Sequence, residues 1–253
     1  MSLAGRVALV TGGGRGIGKA IALGLAEDGA DIAINYRRDE DAARETVVEI
    51  EKLGRHAAAY AASVDDYEQC ERLVSSALDE FGKIDILVNN AGIASRGQNV
   101  AKTEPAELDR LLRTHAVASW ACSKLVLPSM REQPRGDIVM ISSAATVGMA
   151  GWSAPYNMAK AAQEALAFTL AKEERRNGIH VNIVAPGLVD TEMGRRLVKG
   201  AMGVEDIRTM DENAAFGHVC TPEEVAAVVR FVVSDAASYI TGERIGVDGG
   251  HFQ

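Results

Sequence analysis

The stretch RVALVTGGGRGIG, residues 6–18, joins a short apolar run directly to a turn rich in glycine. Glycines are needed in such a turn because the chain bends tightly, and a Cβ atom would hold a bound pyrophosphate away from the amides of the following helix. The spacing G-x-x-x-G-x-G departs from the usual G-x-G-x-x-G dinucleotide fingerprint. The stretch therefore predicts either a dinucleotide site or a tight strand-to-helix loop without a ligand.

The alternation of apolar runs and helical segments continues almost to the C-terminus. Near-continuous apolar character predicts seven strands buried on both faces, namely RVALVTG, DIAINY, HAAAYAAS, KIDILVNNAG, GDIVMISS, IHVNIVAPG and RIGVDGG. Helical periodicity predicts helices over residues 16–28, 39–53, 66–81, 104–131, 155–177 and 222–233. This order predicts an α/β fold, a doubly wound, seven-stranded parallel sheet with helices on both faces, in a single domain of residues 1–253.

Residues 190–217 interrupt this pattern, because they combine glycines, several charges and weak periodicity just after a strand end. In an open parallel sheet, loops at this position cover the crevice in which ligands bind. We therefore expect residues 190–217 to form a mobile lid over a substrate.

Composition and charge exclude several classes of protein. The 253 residues carry a formal net charge of -8, which disfavours nucleic acid as a partner because most of the surface repels phosphate. The N-terminal apolar run is too short for a signal peptide, and no uncharged apolar run is long enough to predict a membrane span. Cys70, Cys122 and Cys220 lack C-x-x-C spacing and predict neither a metal site nor a disulfide framework. A cytoplasmic protein is expected.

The residues after the second strand bear on the choice of nicotinamide cofactor. An NAD site usually offers an acidic residue there, whereas a 2′-phosphate favours arginine. This strand ends Asn35-Tyr36-Arg37-Arg38 with no acid before Asp39, and Arg15 lies in the glycine turn. Three guanidinium groups converging on one phosphate would favour NADP(H), although NAD(H) remains possible if Arg37 and Arg38 are solvated surface charges.

The segment YNMAK, residues 156–160, places a tyrosine and a lysine on one face of a predicted helix. A phenol has a pKa of about 10, and a nearby ammonium group lowers it toward the range useful for proton transfer. Alone, this spacing says little, because most such pairs are a packed ring beside a solvated amine. Ser143 ends the preceding strand, at the sheet edge where ligands bind, and therefore favours an acid/base site.

Six segments together resemble the single-domain short-chain dehydrogenase/reductases: TGGGRGIG (11–18), NNAG (89–92), Ser143 lying 13 residues before Tyr156, YNMAK, NIVAPGLVDT (182–191) and YITGERIGVDGG (239–250). The resemblance implies a Rossmann-type sheet, a homotetramer, and hydride exchange between a nicotinamide and a carbonyl or alcohol. It makes Tyr156 the acid/base and Ser143 the residue that positions the oxyanion and substrate. Lys160 then lowers the tyrosine pKa and binds the nicotinamide ribose.

The predicted cofactor site combines the glycine turn, the arginines and the residues that the resemblance adds. It comprises Gly12, Gly14, Arg15, Gly16, Ile17, Gly18, Tyr36, Arg37, Arg38, Ser63, Val64, Asn90, Ala91, Gly92, Tyr156, Lys160, Pro186, Gly187, Val189 and Thr191. The family commonly has an acid before the valine of the third-strand contact, where this chain reads Ala62-Ser63-Val64. The adenine contact is therefore expected to pass to the serine hydroxyl or to the backbone.

A second departure from the family is His115, which aligns with the helix asparagine that holds a water in the proton relay. A neutral imidazole could substitute for that asparagine, whereas a protonated one would compete with Lys160 for charge. The hypothesis is that His115 is catalytic and makes turnover fall at mildly acidic pH. The alternative is a histidine satisfied within a helix-packing surface.

Among subfamilies, the chain is most similar to 3-oxoacyl-[acyl-carrier-protein] reductases, through NYRR, FGHVCTPEEVA and VDGG. Met149, Trp152 and Met193 are predicted to rim the substrate crevice or to lie in the core or an interface. A basic patch for an acidic carrier would come from Arg195, Arg196 and Lys199. Three functions stay open: an NADPH-dependent reductase of small or carrier-bound ketones, an NADP-binding subunit or sensor, and a dehydrogenase of another secondary alcohol.

Overall fold

One parallel sheet organises the computed structural model, which describes residues 2–251, so that Met1, Phe252 and Gln253 of the predicted domain lie outside the described residues. Its seven strands are β1 Val7–Val10, β2 Asp31–Tyr36, β3 Ala57–Ala61, β4 Ile86–Asn89, β5 Gly136–Ile141, β6 Ile179–Pro186 and β7 Arg244–Val247. They pair in the order β3-β2-β1-β4-β5-β6-β7, and every pair is parallel. The predicted doubly wound α/β fold is confirmed.

Nine α-helices connect the strands within residues 2–251. They are α1 Gly16–Glu27, α2 Glu40–Lys52, α3 Tyr67–Phe81, α4 Pro105–Leu112, α5 Ala118–Met130, α6 Ala145–Gly148, α7 Ala154–Glu174, α8 Glu192–Met202 and α9 Pro222–Val232. The helix predicted over residues 104–131 is interrupted, because a π-helical turn at Arg113–Val117 separates α4 from α5. A π turn inserts an extra residue into the helical ladder, which amphipathic periodicity does not reveal.

The sheet divides the core into two layers. Leu9 and Leu87 face the layer that contains α3, α5 and α7, whereas Val10 and Val88 face the layer that contains α1, α2 and α9. Successive side chains of a strand point to opposite faces, and both faces are covered here. This double burial explains why the strands read as almost uninterrupted apolar runs.

The strand order reverses next to β1, which pairs with β2 on one side and with β4 on the other. In sheets of this kind the loops at the carboxyl ends separate at the reversal and leave a crevice. Thr11 follows β1 and Asn90 follows β4, and the amide of Asn90 donates to the Thr11 hydroxyl at 3.0 Å. The fold thus brings the glycine turn and the NNAG segment together at this edge.

Residues 190–217 contain α8 and two 3₁₀ turns, at Ile207–Asn213 and Ala215–Gly217. Val198 of α8 packs on Ile207 and Val219 in a small core of its own. The sequence analysis missed this helix although Met193, Leu197 and Val198 recur with helical spacing, because the glycines and charges of the segment indicated a loop. That this segment moves as a lid remains a prediction.

The three cysteines are free thiols, and the sulfur atoms of Cys70 and Cys122 lie 3.9 Å apart between α3 and α5. Within residues 2–251 there is no cluster of three or more His, Cys, Asp or Glu side chains that could hold a metal ion. In the same range, each helix is too short or too polar to cross a bilayer.

A buried ion cluster stabilises the edge of the sheet opposite the crevice. The Asp137 carboxylate at the start of β5 is 2% exposed and accepts from Arg6 at 2.6 Å and from Arg135 at 2.9 Å. Both guanidinium groups are themselves largely buried. Removing one partner of a buried ionic group leaves charge without compensation, which costs far more than breaking an exposed pair.

Replacing Asp137 with alanine should lower the free energy of unfolding by about 3–5 kcal/mol, because two buried guanidinium groups lose their counter-charge. Replacing Arg44, whose side chain is 73% exposed in its ion pair with Glu40, should change it by about 0.5 kcal/mol or less. Urea unfolding at one protein concentration measures both values. Equal losses for the two variants would contradict a stabilising role for the buried cluster.

Candidate active site

The end of β5 and the start of α7 bring the predicted catalytic side chains together. Ser143 follows β5, and Tyr156 and Lys160 lie one turn apart on α7. The Ser143 hydroxyl lies close enough to the Tyr156 phenol to lower the pKa of Tyr156. The Lys160 nitrogen lies 6.0 Å from the centre of the Tyr156 ring. A serine, a phenol and an amine therefore converge at the carboxyl edge of the sheet, where parallel sheets bind ligands.

Lys160 is buried, with 4% of its surface exposed, and its ammonium group has two oxygen partners. Its Nζ donates to the Ile141 carbonyl at 2.6 Å and to Gln163 Oε1 at 3.1 Å. Gln163 Nε2 in turn donates to Ser119 Oγ at 2.8 Å. Sequence reasoning missed Gln163 and Ser119, because polar residues in predicted helices usually face solvent. The lone signal was that Gln163 lies one turn beyond Lys160.

The titration of Lys160 and Tyr156 differs from the expectation based on sequence. Burial lowers the pKa of Lys160 to about 7, against the opposing charge of Glu164. Burial raises the pKa of Tyr156, although the Ser143 hydroxyl acts in the opposite direction. The lysine therefore loses its charge before the phenol ionises, so the predicted lowering of the tyrosine pKa is wrong for this structure. Tyr156 keeps its proton at neutral pH.

His115 lies in the π turn and is 1% exposed. Its Nε2 is 2.9 Å from the Ile93 carbonyl oxygen, and its ring contacts the Tyr156 ring edge-on at 5.4 Å between centres. Its Nδ1 has no hydrogen-bond partner among residues 2–251. The imidazole thus supports Tyr156 and the Ile93 loop, whereas the Lys160 ammonium is bound by Ile141 and Gln163.

Burial lowers the pKa of His115 to about 3, with the charge of Lys160 as a second cause and the Ile93 bond opposing both. The ring is therefore neutral at mildly acidic pH. The hypothesis that His115 protonation makes turnover fall in that range is wrong for this structure. The alternative, a histidine whose ring bonds to the backbone, holds for Nε2, which lies 2.9 Å from the Ile93 carbonyl oxygen.

The glycine turn has the shape of a phosphate cradle. Gly12 and Gly16 have φ of 65° and 54°, which is costly for residues with a side chain. A Cβ on Gly18 would lie 2.2 Å from the Gly12 carbonyl oxygen. Arg15 is the N-cap of α1 but provides no side-chain cap, so the first amides of the helix are free of a capping group. These residues fit the pyrophosphate of a dinucleotide.

The NNAG segment closes the other side of the turn. Asn90 Nδ2 donates to the carbonyl oxygens of Thr11 at 2.9 Å and Gly12 at 3.2 Å, and the Ala91 amide donates to Thr11 Oγ1 at 3.0 Å. A Cβ on Gly92 would lie 2.7 Å from the His115 ring. Asn90 thus acts on the shape of the turn, and Gly92 makes room for His115.

The three predicted arginines do not share one environment. Arg37 and Arg38 are exposed and form no ion pair among residues 2–251. Arg15 pairs with Glu192 of α8 at 2.8 Å and lies 3.9 Å from Asp39. Arg37 and Arg38 are therefore free to meet a phosphate, whereas Arg15 already has carboxylate partners.

The segment after β3, where the adenine contact is expected, contains an acidic residue that the sequence analysis did not consider. Ser63 Oγ donates to Asp65 Oδ1 at 2.5 Å, two residues along the chain. Val64 is buried, and its carbonyl oxygen accepts from the Cys70 thiol. Asp65 thus lies beside the serine that was expected to replace the family's acidic residue.

The remaining predicted cofactor residues lie around the same edge. Pro186 ends β6 and accepts from the Ala144 amide at 2.8 Å, and Gly187 donates to the Val247 carbonyl at 3.0 Å. Thr191 caps α8, and a Cβ on Gly16 would lie 3.4 Å from its methyl carbon. Four others complete the set. Gly14 packs against α2, Ile17 and Tyr36 are partly buried, and Val189 forms a β-bridge with Cys220.

The apolar residues predicted at the rim are exposed. Met149, Trp152 and Met193 expose 53%, 67% and 45% of their surface, which rules out the core alternative. Met149 and Trp152 have φ of 43° and 58°, a left-handed conformation that is costly for non-glycine residues. Both strained residues lie in the loop immediately before Tyr156.

The basic patch predicted on residues 190–217 is neutralised. Arg195 pairs with Asp190 and Lys199 pairs with Glu205, at 2.8 Å and 2.6 Å, and Arg196 pairs with Glu192. Each of the three cations therefore has an acidic partner in the same segment, so they form no unpaired basic patch.

The imidazole of His115 should not titrate between about pH 5 and 8, whereas that of exposed His218 should titrate above the ordinary histidine value, because Glu224 raises its pKa. Because the folded pKa of His115 lies below the unfolded value of about 6.5, its contribution to stability is present above that pH and is lost as pH falls toward about 3. NMR titration measures both rings, with His115→Asn for assignment. A His115 midpoint near 6.5 would contradict the burial argument.

Comparisons with known proteins agree with this geometry. A family model described as enoyl-(acyl carrier protein) reductase matches residues 12–251. A 3-oxoacyl-[acyl-carrier-protein] reductase of Synechocystis sp. is 39% identical over 252 residues and covers 98% of each chain. Versicolorin reductase stcU of Emericella nidulans is 37% identical, covering 99% of this chain and 97% of its own.

Solved structures are similar over the whole chain. A short chain dehydrogenase of Burkholderia cenocepacia in complex with NADP superposes with a TM-score of 0.89 at 36% identity, covering 99% of both chains. NAD+-bound xylitol dehydrogenase superposes with a TM-score of 0.92 at 30% identity, covering 99% of this chain and 100% of its own. The full-length match in sequence and fold shows that the chain is an oxidoreductase of the short-chain dehydrogenase/reductase family.

Proposed function

We propose that this protein is an NADP(H)-dependent reductase that converts a ketone into a secondary alcohol. The observation that carries the proposal is the convergence of Ser143, Tyr156 and buried Lys160 at the carboxyl edge of the sheet, across from a glycine turn shaped for a pyrophosphate. The relatives support it, because one is named a 3-oxoacyl-[acyl-carrier-protein] reductase and one similar structure holds NADP.

In this mechanism the protein binds both reactants and controls one proton. When bound, NADPH supplies the hydride that reaches the carbonyl carbon. Tyr156 gives its proton to the carbonyl oxygen as the hydride arrives, and Ser143 donates a hydrogen bond to that oxygen. The raised pKa of Tyr156 suits this direction, because a phenol that keeps its proton at neutral pH is an acid. The Ser143 hydroxyl, which lowers the pKa of Tyr156 against burial, stabilises the phenolate left behind until it regains a proton from solvent.

The residues that would hold the cofactor follow from the geometry. The amides at the start of α1 would bind the pyrophosphate, and unpaired Arg37 and Arg38 would bind the 2′-phosphate. Lys160 would bind the nicotinamide ribose, and Ser63 with Asp65 lies where the adenine contact is expected.

Two other functions remain possible outcomes. A dehydrogenase of another secondary alcohol is favoured by the likeness to NAD+-bound xylitol dehydrogenase. A binding subunit or sensor without catalysis is disfavoured, because Ser143, Tyr156 and Lys160 are all present and close together.

We propose a ketone with an apolar portion as substrate, because Met149 and Trp152 expose apolar surface in the loop immediately before Tyr156. Met193 exposes further apolar surface on α8, in the segment proposed as a lid. The acidic partner suggested by the relatives' names would not meet a free basic patch on residues 190–217. A carrier-bound 3-oxoacyl group is therefore one member of the proposed class, beside small ketones.

Two expectations about assembly and motion stay predictions. A lid at residues 190–217 is supported by the small separate core that Val198 shares with Ile207. A homotetramer is supported by exposed apolar side chains on the long helices, Trp120 on α5 at 45% and Phe168 on α7 at 37%.

The purified protein should oxidise NADPH in the presence of a 3-oxoacyl thioester or a small cyclic ketone. Tyr156→Phe should lower the rate by about 10²–10⁴-fold, because the proton donor is lost while the ring remains. Tyr239→Phe, at a fully exposed tyrosine, is the matched control and should leave the rate unchanged. Binding of NADPH without turnover of any ketone in the panel would instead support the sensor function.

Arg37→Gln and Arg38→Gln should each weaken NADPH binding by about 10–100-fold and leave NADH binding nearly unchanged, because the 2′-phosphate loses a charged donor. Arg113→Gln, at an exposed arginine of the π turn, is the control. Fluorescence titration with both reduced cofactors gives the dissociation constants. Tighter binding of NADH than NADPH by the unmodified protein would overturn the preference for NADP(H).

A further inference from the structure

A cluster of polar side chains lies directly behind Ser143. One oxygen of Glu164 accepts three hydrogen bonds, from Ser142 Oγ at 2.7 Å, Thr146 Oγ1 at 2.9 Å and Arg244 Nε at 3.0 Å. Glu164 lies on α7, one turn beyond Lys160, and its side chain is 11% exposed. The carboxylate therefore ties α7 to the turn that follows β5.

Arg244 approaches the same turn from β7. Its Nη2 donates to the Ser143 carbonyl oxygen at 3.2 Å and to Thr146 Oγ1 at 3.0 Å, while its Nε binds Glu164. The Arg244 side chain is 23% exposed. The backbone of Ser143 is thus bonded to a guanidinium group whose other partner is the carboxylate beside Lys160.

We propose that Glu164 and Arg244 are positioning residues for this reaction, which hold the Ser143 turn against Tyr156 and balance charge one helical turn from Lys160. The proposal rests on the proposed function of Ser143, Tyr156 and Lys160. Neither residue touches the reacting atoms, so each acts through its neighbours.

The turn needs such support because its own structure is short. The helix that follows Ser143, α6, has four residues, and its N-cap Ala144 provides no side-chain hydrogen bond. A hydroxyl that donates to a substrate oxygen must be held within a fraction of an ångström. Glu164 on α7 and Arg244 on β7 hold the turn through side-chain hydrogen bonds.

The charges of the pair act on Lys160 in opposite directions. The titratable groups around Lys160 are Tyr156 and Glu164 on α7 and His115 from the π turn, and β5 contributes a carbonyl. Arg244 reaches from β7 to Glu164 and acts on Lys160 through that carboxylate. Glu164 favours the ammonium form against burial. Arg244 compensates that carboxylate and, by its sign, favours the neutral amine.

Glu164→Gln and Arg244→Gln therefore make a discriminating pair. Loss of the Glu164 side-chain charge should lower the Lys160 pKa by about one unit or more. Loss of the Arg244 guanidinium should raise it, because Ser142 and Thr146 still hold Glu164 in place while its counter-charge is gone. The Lys160 ε-carbon resonance, assigned with Lys160→Met, reports this pKa by NMR without any need for turnover. Arg244→Lys keeps the charge and should keep the pKa.

Kinetics provide the second readout. Both glutamine variants should lower kcat about tenfold or more with a smaller change in KM, and the alkaline limb of the pH–rate profile should move in the same direction as the Lys160 pKa. Glu174→Gln is the matched control, because Glu174 is a buried acid on the same helix that pairs with Arg131 at 2.5 Å, away from Lys160. It should change neither the limb nor the Lys160 pKa.

The outcomes separate this proposal from the one on which it rests. The positioning role would be overturned if the Lys160 pKa did not change in the two glutamine variants, or if it changed in the same direction in both. This holds whatever their activity. An active protein whose Tyr156→Phe variant turns over at the same rate would overturn the proposed function instead. A loss of activity in Glu174→Gln as large as in Glu164→Gln would show that burial of any acid on α7 is sufficient, and would likewise overturn the proposal.

Discussion

The site depends on one buried charge, the ammonium group of Lys160, which donates to the Ile141 carbonyl at 2.6 Å. An ammonium group taken out of water is costly unless oxygen atoms replace its hydration shell. The end of β5 provides one such oxygen, and Gln163 on the lysine's own helix provides another. Because these bonds join α7 to β5, they also determine where Tyr156 and Ser143 lie relative to each other.

Burial then decides the protonation of the site. It lowers the pKa of Lys160 to about 7 and raises that of Tyr156, so at neutral pH the phenol is protonated and the lysine titrates. A small change in the surrounding charge therefore changes the fraction of lysine that carries a proton. Glu164 is the acidic residue whose charge raises the Lys160 pKa. The hydroxyl groups of Ser142 and Thr146 and the guanidinium group of Arg244 hold its carboxylate in place.

The agreement between sequence and structure was closest where the physical signal is local or periodic. The strands were predicted correctly because burial on both faces makes them apolar throughout. The glycine turn was predicted correctly because positions without space for a Cβ, such as Gly18, require glycine and are therefore visible in the sequence. The π turn and α6 were missed because an extra residue within a helix and a helix of only four residues leave little periodicity. The helix α8 was missed although its apolar side chains recur with helical spacing, because its glycines and charges indicated a loop. Asp65 was missed because its carboxylate acts through Ser63.

By itself, the sequence determined the doubly wound fold, the glycine turn and the side chains available for catalysis. Strand burial, backbone freedom and residue type follow directly from the order of residues. The tertiary structure alone decided which charges are paired, which titrate and which polar residues support the site. Arg195, Arg196 and Lys199 looked like a basic patch and are neutralised, whereas Glu164 and Arg244 are 80 residues apart and share a bond behind Ser143. Electrostatics depends on distance in space and on exclusion of water, and neither can be read from positions along a chain.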